Sequence, residues 1–336
     1  MRAVLIGAGS IGGTMAVMIT EAGYDLDVVA HGEEKARLFR EEGFRLTGAF
    51  GDKCVKLNAY QSIDALEGKY DVCLIATKYQ QMPEAARQML PHLNDDSLVV
   101  SVQNGIVLDM LSEVVGKKRT VGVMIGLGAT LKEANLVEVT AGAELIIGMP
   151  DGYHPKSLDE LAVMLSSVLP TAVDDDIVGR LWSKVIFNSC VNSLAGISGL
   201  NVGQTLKYKK ARLAFLDIIR EGVTVAQKEG YDVPQFNAIP KYQFFAKHNS
   251  KLFNAFWGTF FKIALGAKSG SVRPSTLQSL EKGRKTEIDI MNGYISSEGR
   301  KCGVPTPLND LLTSMIKEIE DGKRIITPDN FEELKY

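Results

Sequence analysis

The 336-residue sequence holds only four cysteines, Cys54, Cys73, Cys190 and Cys302, far apart and with no C-x-x-C pair. That spacing implies neither a disulfide framework nor a zinc site, so no metal is expected. Cys73 and Cys190 sit in apolar runs and read as small core residues. No run of about 18 apolar residues is present, so no membrane span is expected. The first strand-like run begins at residue 2, leaving no room for a signal peptide, and a cytoplasmic location is expected. Net charge is nearly absent, at −2 from 38 basic and 40 acidic residues. Because the Lys and Arg residues are dispersed, no nucleic-acid footprint arises. Internal repeats and low-complexity segments are lacking as well. What remains is 45% apolar and 23% charged, enough to fill ordinary cores. A chain of this length sets a prior of two domains.

To about residue 150, strand and helix signals alternate. Strands are predicted at 2–6, 25–30, 71–77, 97–102, 120–125, 136–140 and 144–148, and helices at 12–22, 33–42, 82–91 and 107–115. This alternation predicts βαβ units and an α/β domain with a doubly wound parallel sheet. Leu136–Thr140 and Glu144–Gly148, joined through Ala141-Gly142-Ala143, read as an antiparallel hairpin closing the sheet edge. A turn-rich break at 149–155 precedes a helix near 157–168; beyond Asp174-Asp-Asp176 strand signals vanish. Helices are predicted over 178–197, 202–229, 235–265, 275–300 and 306–321, with Gly322 as a C-cap signal. The expected division is 1–172 and 173–336. The last dozen residues read as a loosely held tail.

The amino terminus carries the sharpest motif. Arg2–Ile6 runs straight into Gly7-Ala-Gly9-Ser10-Ile11-Gly12-Gly13, which is G-x-G-x-x-G after a strand and before a helix. Gly7 permits the tight turn, Gly9 lets a pyrophosphate approach the backbone, and Gly12 lets helix and strand pack closely. Free N–H groups at the helix start then face the phosphates. An acidic residue ending the second strand would bond the ribose 2′-OH of NAD. Here that strand ends in Ala30-His31-Gly32, with Lys35 and Arg37 beyond and Asp27 too early for the role. This favours NADP, with a protonated His31 pairing the 2′-phosphate; the alternative is an exposed loop histidine and NAD.

A second signal lies in the run 180–197. Val185, Ile186, Phe187, Cys190, Val191 and Leu194 surround nearly the whole helix, which marks a buried one. Lys184, Asn188 and Asn192 recur every fourth position and form one stripe. A buried ammonium costs several kcal/mol without a partner, and each unpaired amide ~1–3 kcal/mol. Such a stripe belongs beside a polar cleft or ligand, or else in a hydrogen-bond network between domains. Ser275 followed by Gln278 is a capping-box pattern, and Glu287 reads as a mid-helix carboxylate. Lys78 and Asn104 follow two predicted strands at the ends where ligands bind in open α/β sheets.

Together these residues resemble the ketopantoate reductase (2-dehydropantoate 2-reductase) family over nearly the whole chain. The motifs are the glycine turn, Ala76-Thr77-Lys78, Gln103-Asn104-Gly105, Trp182-x-Lys184-x3-Asn188-x3-Asn192 and Thr286-Glu287-Ile288-Asp289. The resemblance implies a Rossmann domain followed by an all-helical domain, and reduction of a 2-oxo acid by NADPH in pantothenate and coenzyme A synthesis. It further implies Lys184 as general acid and carbonyl polariser, and Glu287 as the carboxylate that binds substrate and orients the site. Asn188, Asn192, Ser275 and Asn104 match substrate-binding positions. Gly7, Gly9, Ser10, Ile11, Gly12, His31, Lys78 and Asn104 match cofactor positions. Three departures stand out: His31 where Arg is common, Val272 where a polar substrate contact is frequent, and a longer, more aromatic stretch from Lys241 to Ala267.

Two other readings compete. One is a reductase of another bulky 2-oxo acid using NADH or NADPH; the other is a regulator that senses NADP without turnover. The proton donor in the stripe speaks against the second. The aromatic segment Phe244–Phe261 reads either as a homodimer surface or as core.

Overall fold

The computed structural model describes residues 1–236 and 242–336, without the side chains of 267–269. Its chain divides into two compact units, Met1–Val178 and Gly179–Tyr336.

The first unit is a mixed sheet flanked by helices. In chain order its elements are β1 (Ala3–Ile6), α1 (Ser10–Glu21), β2 (Leu26–Val29), α2 (Glu33–Glu41), β3 (Phe44–Gly48), β4 (Lys53–Val55), β5 (Asn58–Tyr60), β6 (Tyr70–Ile75), α3 (Met82–Met89), β7 (Leu93–Ser101), α4 (Leu108–Val115), β8 (Thr120–Glu133), β9 (Leu136–Gly148), α5 (Lys156–Leu165) and β10 (Thr171–Val173). The strand order is β4-β3-β9-β8-β7-β6-β1-β2-β5, with β10 beside β9. Strands β5, β2, β1, β6, β7 and β8 pair in parallel. The central ones are continuous apolar runs such as AVLI in β1, fully buried, as a sheet covered on both faces requires.

The predicted hairpin at 136–148 is corrected. Those residues form the single strand β9, whose antiparallel partner is β8, with the turn at Ala134-Asn135. Ala141-Gly142-Ala143 looked like a turn because it is small, but its smallness answers crowding instead. A Cβ on Gly142 would lie 2.8 Å from the Phe50 ring and 2.9 Å from Leu169. Strands β3, β4 and β5 carry no distinct local signal; β4 and β5 are three residues each and exist by pairing with β3 and β2.

The second unit is helical: α6 (Ile177–Ser198, which begins two residues before the boundary), α7 (Val202–Thr205), α8 (Lys209–Lys228), α9 (Gln243–Ala246), α10 (Lys251–Ser269), α11 (Ser275–Glu281), α12 (Asn292–Cys302) and α13 (Pro307–Glu320). Helix α6 is its spine, burying Trp182, Val185, Ile186, Cys190, Leu194 and Ile197. Of the predicted helix 235–265, residues 237–241, including Lys241, lie outside the described residues, as does the Ala267 side chain. Past α13, Gly322 takes φ of 70°, the left-handed conformation that ends helices.

Two further expectations are corrected. The predicted helix 275–300 breaks into α11, a short 3-10 turn at Ile288–Ile290 and α12, so Glu287 starts that turn rather than sitting mid-helix. The carboxyl-terminal tail is tied down. Phe331 and Leu334 are buried, Asn330 Nδ2 donates to the Ile197 carbonyl at 2.7 Å, and Arg324 pairs with Glu318 and Glu333. Local composition hid these long-range anchors.

Candidate active site

In the first unit, the site residues gather at the carboxyl ends of the parallel strands. Strand β1 pairs with β2 on one side and β6 on the other, which makes the β1/β6 edge the topological switch point. Gly7 leaves β1 with φ of 98°, and a Cβ there would lie 3.0 Å from the Thr77 nitrogen. A Cβ on Gly12 would lie 2.1 Å from the Gly7 carbonyl oxygen, so the helix presses directly on the turn. A Cβ on Gly9 would meet nothing within 4 Å. The three glycines thus divide into a turn, a tight contact and an open face, which fits a pyrophosphate against the backbone. Helix α1 begins at Ser10-Ile11 without a side-chain cap and without an acidic residue in its first turn, leaving its N–H groups for an anion.

His31 is exposed just beyond β2. Asp27 is unsuited to a ribose: it is 1% exposed and accepts from Tyr70 Oη at 2.6 Å and Arg2 Nη2 at 2.9 Å. Lys78 is exposed at the start of the 3-10 turn Tyr79–Gln81, and Asn104 is half-buried after β7. Gln103 received no role from the sequence. It is buried, donates through Nε2 to the Ile75 and Thr77 carbonyls at 2.8 and 3.1 Å, and accepts from Ser101 Oγ. It therefore braces the two segments that carry Lys78 and Asn104. A polar residue directly after the apolar run Leu98–Val102 was the available signal.

In the second unit, Arg180, Lys184, Phe187, Asn188 and Val191 keep partial exposure while the other faces of α6 are buried. Lys184 and Asn188 thus lie on the accessible stripe, and Asn192, 5% exposed, continues it inward. Burial pushes the Lys184 ammonium down from 10.5 to about 8, while the Glu287 charge pulls the other way. Desolvation wins, as expected where a charge leaves water for protein. Glu287 is half-buried and held by its neighbour Thr286, another residue sequence reasoning missed. Thr286 donates its N–H to Glu320 Oε1 at 2.7 Å, and its Oγ1 accepts from the Ile288 N–H at 3.2 Å.

The capping reading of Ser275 is corrected. Pro274 is the N-cap, Ser275 is the first helical residue, and no cap bond comes from the helix's own side chains. Instead Asn192 Oδ1 accepts from the Thr276 N–H at 3.2 Å and from Ser275 Oγ at 3.1 Å. An amide on one helix therefore caps another, bringing Asn192 and Ser275 together. Since the Thr276 N–H can only donate, the Asn192 oxygen is committed and Nδ2 is left as a donor. Two substitutions separate these roles. Asn192→Ala should lower stability by ~1–2 kcal/mol, the value of a lost cap. Asn192→Asp keeps the capping oxygen but turns the donor into an acceptor. It should leave the urea midpoint close to wild type and raise KM for an anionic substrate by about tenfold or more, or ~1.4 kcal/mol.

Residues 3–152 match the family described as Ketopantoate reductase PanE/ApbA, and residues 176–320 match its C-terminal part. The 2-dehydropantoate 2-reductase of Pyrococcus abyssi is 26% identical over 331 residues, covering 96% of this chain and 100% of that protein. The Aquifex aeolicus protein of the same name is 24% identical, covering 95% and 97%. Among solved structures, a PanE/ApbA family ketopantoate reductase from Ralstonia eutropha JMP134 superposes with TM-score 0.80 at 25% identity, covering 96% and 99%. D-mandelate dehydrogenase solved with NADH and anilino(oxo)acetate also reaches 0.80, at 24% identity, covering 97% and 100%. The family matches and the relatives define an oxidoreductase acting on CH–OH groups. The chain belongs to the ketopantoate reductase PanE/ApbA family. Among the described residues no helix is long and apolar enough to cross a membrane.

Proposed function

We propose that the protein reduces 2-dehydropantoate (ketopantoate) to pantoate with NADPH, a reaction that feeds pantothenate and coenzyme A synthesis. The observation that carries this reading is Lys184, an ammonium brought to about 8 with Glu287 in its field and Asn188 one helical turn along the same stripe. The names of the curated relatives support the substrate. Gly7, Gly9, Ser10, Ile11 and Gly12 would hold the pyrophosphate, His31 the 2′-phosphate, and Lys78 and Asn104 the nicotinamide ribose. When bound, NADPH supplies the hydride that reduces the keto carbon.

The chain's own residues supply the rest. Lys184 donates a hydrogen bond to the keto oxygen, where negative charge develops, and then gives up its proton. A donor near 8 is charged at neutral pH yet releases its proton easily. Asn188, the Asn192 Nδ2 and Ser275 hold the substrate carboxylate and hydroxyl in near-attack geometry. Glu287 keeps the ammonium from losing its proton too early and orients it.

A second reading, another bulky 2-oxo acid reduced with NADH, is favoured by His31 in place of Arg and by Val272, which is 50% exposed. Loss of NADPH absorbance on adding ketopantoate tests the choice. Rapid loss supports the first reading; loss only with other keto acids and NADH supports the second; no loss with any supports a sensor. His31→Arg should raise the NADPH-to-NADH ratio of kcat/KM by about tenfold, as expected for one added charge-assisted bond. An unchanged ratio would remove His31 from the 2′-phosphate.

A further inference from the structure

Glu287 is presented by a turn with little strength of its own. The 3-10 segment Ile288–Ile290 is a single turn, closed by the Ile290 N–H donating to the Glu287 carbonyl at 3.2 Å. What holds it is the last turn of α13, where Lys317 and Glu320 stand three residues apart and so share one face. Before Glu287, the Thr286 N–H donates to Glu320 Oε1 at 2.7 Å. After it, the Lys317 ammonium pairs with Asp289 Oδ1 at 2.5 Å. The backbone from which the Glu287 carboxylate projects is thus fastened on both sides by one helix. The two holds differ in strength. The Lys317 and Asp289 side chains are 50% and 47% exposed, and an ion pair that open to water contributes little. The Glu320 side chain is 7% exposed, and its other oxygen lies 3.3 Å from the Lys285 ammonium. A hydrogen bond to a carboxylate is about twice as strong as one between neutral groups, so Glu320 is the principal hold.

We propose that Glu320, supported by Lys317, is a positioning residue for the reaction: it fixes the turn that keeps the Glu287 charge in the field of Lys184. This rests on reading Lys184 and Glu287 as the working pair. Glu320 acts through Glu287 and not on the reacting atoms. Its removal therefore has a signed consequence. The Glu287 charge favours the protonated ammonium of Lys184, so a loosened turn makes Lys184 release its proton at lower pH. Damage that merely weakens the fold carries no such sign.

The test compares Glu320→Ala, which removes the acceptor, with Glu320→Gln, which keeps an oxygen for the Thr286 N–H. Two readouts are taken on the full chain: ketopantoate reduction across pH, and the Lys184 side-chain titration by NMR, which needs no turnover. Glu320→Ala should lower kcat ~10–100-fold, the cost of misplacing a working group, while NADPH affinity holds. The Lys184 titration and the high-pH break in kcat/KM should both move below about 8. Glu320→Gln should restore most of the rate and the break. Lys317→Met should shift both readouts the same way by less, and it decides the matter should Glu320→Ala fail to fold. In a Glu287→Gln background, Glu320→Ala should move the Lys184 titration no further, because the two act as one unit. A Lys184 titration indifferent to Glu320→Ala overturns the proposal. So does a rate loss that Glu320→Gln fails to restore, or a further shift in the Glu287→Gln background. A protein that consumes NADPH with no 2-oxo acid sinks the reductase reading instead, and the NMR titration still judges the role of Glu320.

Discussion

Replacing Lys184 with Met should slow reduction by ~10²–10⁴-fold and at the same time make the protein more stable. The kinetic loss is that of a general acid whose ammonium also stabilises charge on the keto oxygen. The gain in stability follows from desolvation, which lowers Lys184 from 10.5 to about 8. At neutral pH the folded protein therefore holds its protonated form at a penalty. A tenfold loss of proton affinity corresponds to ~1.4 kcal/mol. Because the side chain is only half-buried, solvent screening reduces the total, and Lys184→Met should gain about 2 kcal/mol. The sign fixes the pH dependence. Between about 8 and 10.5 the unfolded chain binds more protons at this residue than the folded one, so its contribution to stability rises with pH. The penalty is full below about 8 and gone above 10.5. Urea denaturation should show Lys184→Met ahead of wild type at neutral pH, with the margin closing near pH 10.5. A margin that stays constant across that range would mean the ammonium is not the source.

Gly9→Val should abolish most cofactor binding while leaving the fold intact, and Gly12→Ala should do the reverse first. The space beside Gly9 is open, its φ is −83°, and a Cβ meets no atom within 4 Å. A valine there would occupy the volume assigned to the pyrophosphate, weakening NADPH binding by roughly 100-fold, or ~3 kcal/mol. At Gly12 the methyl group would collide with the Gly7 carbonyl oxygen, so the turn itself must shift. Thermal melts and NADPH fluorescence titrations separate the two. If Gly9→Val destabilises the protein as much as Gly12→Ala, or binds NADPH normally, the open face is not the phosphate seat.

These two positions also mark what was readable in the sequence. The glycine turn and its flanking strand and helix are local features, set by turn chemistry and by a short apolar run. The polar stripe of α6 was visible because Lys184, Asn188 and Asn192 interrupt an otherwise apolar helix at a four-residue spacing. What escaped was long-range. Asn192 caps a helix that begins at Ser275, and no pattern around either residue announces the other. Gly142 sits in a strand because Phe50 and Leu169 crowd it, although Ala-Gly-Ala reads locally as a turn. Glu287 owes its place to Thr286 and Glu320, and the tail owes its order to Arg324, Asn330 and Phe331. Each depends on a partner that only tertiary packing supplies.

The central claim is that Lys184 gives the proton. The pH profile of kcat/KM for ketopantoate reduction tests it most directly, because that ratio reports the free enzyme. It should be level below about 8 and fall about tenfold per pH unit above it, and Lys184→Met should lose that break along with most of the rate. A profile flat to about pH 10, or the same break surviving in Lys184→Met, would contradict it.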